Sequence, residues 1–516
     1  MKVRVGIILI LGSFDVAPTR GLPELRPAQS FWPSQQTRKD HVTAPASESG
    51  TQGSMAQRYL LPVLFQKKQK CYTQSQLHYS SQLCPSRAPP CCSLGARDRA
   101  VPPYFFAHHA DVRVQQQQQP KQNSLSKELG YWISQESSLA AEVIKIEHPT
   151  RGDDTRSWGP PYAPYKDGRT GAGESAYYLS VNRNKKSLAL SFKEPLGVSI
   201  LQKLAAKSDV VVENYLPRSL EKYGLDYATL NKDNERLIYA SITGYGQFGP
   251  YSDRAGYDVM VEAEMGLMHI TGTRDGPPVK VGVAVTDLTT GMYAANSILA
   301  ALFERQRSGK GQYLDVCLSD CQVATLSNMA ESVLVTGKRD TGRWGTAHPS
   351  VVPYRAFHTS DGDILIGGAN DRLFGILAKG LGKPEWATDP RFATNSARVE
   401  NRGLLEKWIE DATQTKTTQE WLEIFDGTGL PYAKVNDLMD TLNHAHVQAR
   451  NMVIEVDHPS CGPLKLLNSP VKYSRTQPTI RSPPPLLGEH TEQVLMEELG
   501  FSKNEVEEMK QNGVVA

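Results

Sequence analysis

The chain is 516 residues long and carries a formal net charge of +2. That length suggests about two to four domains, and so small a charge argues against a bulk electrostatic grip on nucleic acid or on an anionic membrane. Of its seven cysteines, Cys71, Cys84, Cys91 and Cys92 come early and only Cys317, Cys321 and Cys461 follow, which is no disulfide framework.

Cys91 and Cys92 have no second pair of ligands at metal-binding spacing, so no metal is expected and a reducing compartment fits the chain. The first apolar run, "VGIILILG" (Val5 to Gly12), is too short to span a bilayer. Lys2 and Arg4 before it give it the look of a signal-peptide core, but no small-residue cleavage site follows, so secretion is not expected. Residues 1–139 then carry "TAPASESGTQG", "SSQLCPSRAPPCC" and "VQQQQQPKQ". Such composition buries too little apolar surface to offset chain entropy, and the region is expected to be mostly disordered.

From about Ala140 the pattern becomes regular. "AEVIKIEHP" reads as a strand and "LALSF" as a second. "EPLGVSILQKLAAKSD" reads as a helix with Val198, Leu201, Leu204 and Ala205 on one face. "VVVEN" is an apolar strand ending in Glu213 and Asn214, "RSLEKYGLDYATLNKDN" is helical at its start, and "LIYASITGYG" is a strand closed by glycines. Strands alternating with helices imply an α/β fold with a parallel sheet. Ligands in such sheets sit at the carboxyl ends of the strands, which selects His148, Asn214, Thr243 and Tyr245.

The same rule selects Asp287. "VGVAVTDLTTGMYAAN" reads as a strand reaching Asp287, followed by a helix to about Arg307 with Met292, Ala295, Ile298, Leu299, Leu302 and Phe303 facing inward. The residues alone leave two readings. Asp287 is a helix N-cap, worth about 1 kcal/mol, or it is a nucleophile.

Beyond it, "YLDVCL" is a strand, and a long helix through "QVATLSNMAESVLV" leads to the loop "TGRWGTAHPS". "YRAFHTSDGDILIGG" reads as a hairpin, "DRLFGILAKGLG" as a helix, and "TTQEWLEIF" as a helix with a capping box from Thr417 to Glu420. The expected organisation is a large domain over 140–318, a linker over 319–342, a small domain over 343–432 and a returning segment over 433–516. Lys185 and Lys186 read as a solvated face, and the pairs His108–His109 and His444–His446 as solvated histidines.

Nine segments, in order, carry a resemblance: "AEVIKIEHPTRGDDTR", "YYLSVNRNKKSLAL", "DVVVENYLPRSLEKYG", "LIYASITGYGQFGPYSDRAGYDVM", "GLMHITGTRDGPPVKVGVAVTDLTTGMYAA", "RSGKGQYLDVCLSD", "RWGTAHPSVVPYRAF", "DPRFATNSARVENR" and "PPPLLGEHT". In these the chain resembles the class III CoA-transferases, the family of formyl-CoA transferase and carnitine-CoA transferase. The resemblance implies a Rossmann-like large domain, a smaller α+β domain joined by long linkers, and an interlocked homodimer. It implies acyl-CoA and a dicarboxylic acid as substrates, with no permanently bound cofactor. "WGPPY", "SITGYGQFGP" and "RWGTAH" point within the family to succinyl-CoA as donor, to hydroxymethylglutarate or glutarate as acceptor, and to a mitochondrial location.

It further implies that Asp287 is the nucleophile, passing through an aspartyl-CoA thioester, with oxyanion donors from the N–H groups of Leu288 onward. The implied CoA contacts are His148, Leu190, Lys193, Asn214, Tyr215, Lys222, Tyr223, Thr243 and Tyr245. His148 and Lys222 stand where formyl-CoA transferase has arginines and Thr243 where it has a lysine, so the pocket is less basic. The implied substrate loop holds Gly342, Arg343, Gly345 and His348, and Arg343 and Arg169 are candidates to grip the acceptor carboxylate.

Two rival readings stand beside this one. An α-methylacyl-CoA racemase needs an acid and a base about the α-carbon, and such enzymes supply a Gly-His-Asp histidine where this chain has Gly256-Tyr257-Asp258. The other rival is an inactive acyl-CoA-binding variant. The family opens with a strand–loop–helix unit directly before "EVIKIE", and here "NSLSKELGYWISQESSLA" holds that place without a matching strand.

Overall fold

The computed structural model describes residues 6–10 and 141–516. The cysteines before Cys317, the glutamine run and His108–His109 lie outside the described residues. The main sheet has six strands: β1 (Gly6–Ile10), β2 (Glu142–Glu147), β3 (Lys185–Ala189), β4 (Val210–Glu213), β5 (Ile238–Thr243) and β6 (Tyr313–Cys317). Their order is β3-β2-β1-β4-β5-β6, and every neighbouring pair is parallel.

The strand expected before "EVIKIE" is therefore present, but it is Gly6–Ile10, far upstream rather than directly before Glu142. Ile7 pairs with Val143 on one side and Val210 on the other, and Ile10 pairs with Ile146 and Glu213. Ile7, Ile8, Leu9 and Ile10 are all 5% exposed or less. A central parallel strand is buried on both faces and reads as an unbroken apolar run. That is why the segment is indistinguishable, by composition alone, from a signal-peptide core.

Two cores flank the sheet. Ile8 and Ile10 join one with α1 (Pro195–Lys207), through Ile200, Leu201, Leu204 and Ala205, and with α10 (Lys503–Gln511), through Val506 and Met509. α2 (Tyr227–Asp233) adds Leu230 and is capped by Asp226, so the stretch after Arg218 holds one 3-10 turn near its start, Glu221–Tyr223, and an α-helix at its end. Ile7 and Leu9 join the other core with Val261 of α3 (Asp258–Glu264) and with Ala294, Ile298 and Ala301 of α4 (Val285–Ser308).

Several expectations are corrected. Residues 281–284 form no strand; Val281 gives its N–H to the Glu262 carboxylate and Val283 is exposed, so α4 begins two residues before Asp287. Met292, Leu299 and Phe303 are exposed, while Thr290, Gly291 and Ala294 are buried. The single helix expected after β6 is two, α5 (Leu318–Thr325) and α6 (Ser327–Thr336), broken where Ser327 has positive φ. Lys185 is buried, its ammonium donating to Val181 O at 2.6 Å, and Lys186 pairs with Glu142 at 2.5 Å. Neither is a solvated face.

A third core gathers Phe357 and Ile364 of the hairpin β7 (Tyr354–His358) and β8 (Asp363–Gly367). Leu377 of α7 (Asp371–Gly380), Leu405 of α8 (Arg402–Thr413) and Trp421 and Phe425 of α9 (Thr418–Phe425) complete it. The Thr417–Glu420 capping box is formed, and β9 (Tyr432–Lys434) adds a third strand. His444 and His446 are exposed, and the His444 ring accepts the His446 N–H at 3.2 Å to cap a short helix.

Candidate active site

A sheet ordered 3-2-1-4-5-6 opens a crevice where the strand order reverses, outside the carboxyl ends of β1 and β4. His148 follows β2, Leu190 follows β3, Asn214 and Tyr215 follow β4, Thr243 ends β5 and Tyr245 lies just beyond it. All six therefore lie along one edge.

α4 brings Asp287 to the same edge. At its far end Arg305 donates to Asp209 Oδ1 at 2.6 Å and to Arg236 O at 2.8 Å, at the amino ends of β4 and β5. The helix thus runs antiparallel to the strands and its first turn sits at their carboxyl ends.

Asp287 is not the N-cap. That position is Ala284, whose side chain bonds nothing. The missing acceptor comes from α3: Asp258 Oδ1 accepts the Asp287 N–H at 3.0 Å, and the Asp258 carboxyl also takes the Thr286 N–H. Leu288 is already in the helical ladder, its N–H on Ala284 O at 3.0 Å. The expected oxyanion donor at Leu288 is therefore committed. Asp287 itself is 2% exposed.

Burial pushes the Asp258 carboxyl up, against the pull of the Asp287 and Thr286 N–H groups. Burial also raises Glu262, one turn on along α3, opposed by the Val281 N–H and reinforced by the charge of Asp258. Interaction between the two carboxyls opposes the rise at Asp258 and adds to it at Glu262. Asp258 is the acceptor that the first turn of α4 uses.

The turn after β5 abuts this arrangement. A Cβ on Gly244 would lie 2.6 Å from Gly256 Cα, so only glycine lets the two backbones touch, two residues before Asp258. Thr243 Oγ1 accepts the Gly246 N–H at 2.8 Å. The Tyr245 hydroxyl donates to Glu264; burial first, then that bond, push it up to about 12.

Two predicted CoA contacts, Tyr215 and Tyr223, pack on Phe192, which is fully buried. Tyr215 and Tyr223 meet its ring edge-on, with centroids 6.0 and 5.4 Å away. Leu190, also buried, gives its N–H to Glu147 O at 2.9 Å and draws this segment against the end of β2. Lys193 and Lys222 are exposed, and Lys222 lies 5.0 Å over the Tyr223 ring. The His148 ring is half-buried and accepts the Thr150 N–H at 3.3 Å.

The loop holding Gly342, Arg343, Gly345 and His348 docks on residues 269–273. The Gly345 N–H bonds Gly272 O at 2.8 Å, Arg343 Nη1 donates to His269 O at 3.1 Å, and the Gly342 N–H bonds Asp340 Oδ1 at 2.7 Å. The His348 N–H goes to Tyr354 O at 3.0 Å. Its glycine N–H groups are thus engaged within the protein. Arg169 stacks 3.9 Å over Tyr165 and pairs with Asp167 at 3.6 Å.

Sequence reasoning missed Asp258, Glu262 and Phe192 as parts of the site. A signal existed for the first two: Asp258 and Glu262 stand four apart on one helix, where like charges are destabilising.

Comparison with known proteins identifies the family. Residues 137–491 match the model of CoA-transferase family III. Over 377 residues the chain is 46% identical to the succinyl-CoA:glutarate CoA-transferase of Mus musculus, covering 73% of this chain and 84% of the relative. It is 40% identical over 369 residues to the succinate–glutarate CoA-transferase of Agrobacterium fabrum, covering 71% of this chain and 92% of the relative. Its fold is similar to the crystal structure of a CaiB/BaiF family protein from Brucella suis, with a TM-score of 0.65 and 39% identity, covering 71% of this chain and 94% of that one. The family match begins after β1, so the tertiary structure alone brings that strand into the sheet. With the parallel sheet, the ordered motifs and the family match in agreement, the chain belongs to CoA-transferase family III.

Proposed function

We propose that this CoA-transferase moves CoA from succinyl-CoA to glutarate or hydroxymethylglutarate, with Asp287 as nucleophile. The observation that carries the reading is a buried carboxylate in the first turn of a 24-residue helix, at the edge where the predicted CoA contacts converge. The names of the relatives support the donor and glutarate.

An Asp287 oxygen attacks the thioester carbonyl of succinyl-CoA. The C–S bond breaks, leaving a succinyl–aspartyl anhydride and CoA thiolate. The thiolate attacks the aspartyl carbonyl, succinate leaves, and an aspartyl-CoA thioester remains. The acceptor carboxylate attacks this thioester, giving a second anhydride and thiolate. The thiolate then takes the acceptor's acyl group and Asp287 returns as carboxylate. No proton is transferred in the cycle, so the nucleophile needs no base. The helix N-terminus favours the negative charge held there.

His148, Leu190, Lys193, Asn214, Tyr215, Lys222, Tyr223, Thr243 and Tyr245 hold the CoA in this reading. The loop of Gly342, Arg343, Gly345 and His348 faces the acceptor. We further infer a mitochondrial homodimer with a large domain over 140–318 and a small one over 343–432. Broad apolar exposure supports the dimer: Phe303 is 67% exposed, Leu334 and Val335 76%, and Leu438 82%.

The test is mass spectrometry of the full chain with succinyl-CoA and each acceptor, beside Asp287→Ala. New acyl-CoA from the wild type alone, and a wild-type mass increase equal to CoA less water, support the reading. Product from both chains overturns the nucleophile. Product from neither overturns the substrate pair.

A further inference from the structure

Glu213 ends β4 at the point where the sheet order reverses, and it is 5% exposed. It lies in register with Ser241 of β5, which lies in register with Asp315 of β6. One carboxyl oxygen, Oε2, accepts the Tyr215 N–H at 2.8 Å. The other, Oε1, takes the Ser241 hydroxyl. Ser241 Oγ in turn accepts from Gln247 Nε2 at 3.0 Å, and the Gln247 N–H reaches Asp315 Oδ2 at 3.1 Å. A chain of bonds from Glu213 through Ser241 to Gln247 therefore joins two turns, Asn214–Tyr215 after β4 and Thr243–Gln247 after β5.

A strand end needs no such bridge. Isolated burial of a charged carboxylate is costly, and a valine here would continue the apolar run. A valine would also leave the Tyr215 N–H without its acceptor. Burial, opposed by that N–H and reinforced by the charge of Asp315, pushes the Glu213 carboxyl up to about 8. It is thus mainly neutral at neutral pH, which removes most of the burial cost while keeping the bridge.

We propose that Glu213 is a positioning residue for acyl-CoA: its carboxyl locks the turn of Asn214 and Tyr215 to the turn of Thr243 and Tyr245, so that both meet CoA as one surface. This rests on the reading that those four residues contact CoA. Glu213 itself touches no reacting atom. Its loss should weaken CoA binding and leave the chemical step nearly intact.

The experiment is calorimetric binding of free CoA to the full chain, with transfer kinetics beside it. Glu213→Ala should weaken CoA about tenfold and raise KM for acyl-CoA in parallel, with kcat held within about threefold, since a buried acceptor is lost far from the reacting bond. Glu213→Gln should restore affinity to within about twofold, because the amide can accept from Tyr215 and donate to the rotatable Ser241 hydroxyl. Ser241→Ala, which keeps the Tyr215 bond and cuts the link between turns along with the Ser241 contact to the Tyr313 hydroxyl, should weaken CoA about threefold. It carries the test if Glu213→Ala does not fold.

Asn214→Ala separates the two readings. If it weakens CoA while Glu213→Ala and Ser241→Ala bind as wild type, positioning is overturned and the CoA site stands. If Asn214→Ala also binds as wild type, the CoA site is overturned and positioning with it. Equal damage from Glu213→Gln and Glu213→Ala overturns the bridge as drawn.

Discussion

Asp258 Oδ1 accepts the backbone N–H of Asp287 at 3.0 Å. That bond supplies from α3 the cap that Ala284 cannot give α4, and it fixes the height at which the Asp287 carboxylate leaves the helix. Asp258→Ala should cost about 1–2 kcal/mol of stability, the usual price of a lost cap. Transfer should fall more than tenfold, since a small displacement of a reacting group is costly (roughly 100-fold per ångström). Asp258→Asn keeps an acceptor and should recover most of both. Chemical denaturation and kcat on the same samples check this; an inert Asp258→Ala would remove Asp258 from the site.

β1 makes a second prediction. Leu9 is fully buried at the sheet centre, so Leu9→Asp places a carboxylate where it has no solvent and should cost more than about 4 kcal/mol. Removing residues 1–10 should likewise abolish the cooperative thermal transition, because β2 and β4 then lose a shared partner. A truncated chain that melts like the full one would show that Gly6–Ile10 is not part of the sheet in solution.

Glu147 and Arg156 form a buried pair, with Arg156 Nε and Nη2 each 2.8 Å from a Glu147 oxygen. Burial would raise the Glu147 carboxyl, but the bonds and charge of Arg156, with help from Lys145 and Ser187, outweigh it and hold it at about 2. A lowered carboxyl stabilises the fold above its ordinary 4.5, and that stability is lost as pH falls toward about 2. Arg156→Met should cost about 3–5 kcal/mol at neutral pH, because it strands a buried charge. The gap between the two chains should narrow as pH falls below 4.5. Melting curves across that range test the sign.

Glu213 has the opposite sign. Its carboxyl rises from 4.5 to about 8, so its contribution is complete below 4.5 and is lost as pH rises through about 8. Asp315 and the tyrosines 215, 239 and 313 surround it, and none is a cation able to hold the ionised form. The wild type should therefore lose more thermal stability than Glu213→Gln between neutral and alkaline pH. Parallel alkaline slopes in the two chains would contradict a buried neutral Glu213.

The sequence by itself determined the parallel α/β architecture and the strand ends at its carboxyl edge, because strand runs and helix periods are short-range patterns. His148, Asn214, Thr243 and Tyr245 could be placed on one edge from the strand ends alone. Only the tertiary structure decided that Gly6–Ile10 is the central strand, since an apolar run carries no mark of its partners and these stand at Glu142–Ile146 and Val210–Glu213. Only it decided that α4 begins at Val285, because the capping carboxylate lies 29 residues away on α3. The same holds for Lys185, whose charge reads as surface until its ammonium is found on Val181 O beneath the sheet edge. For β1 and α4 the deciding bond joins residues that the chain keeps apart, and a periodic pattern in one segment holds no information about an acceptor in another; Lys185 bonds a carbonyl four residues away, and it is the packing around it that buries the charge.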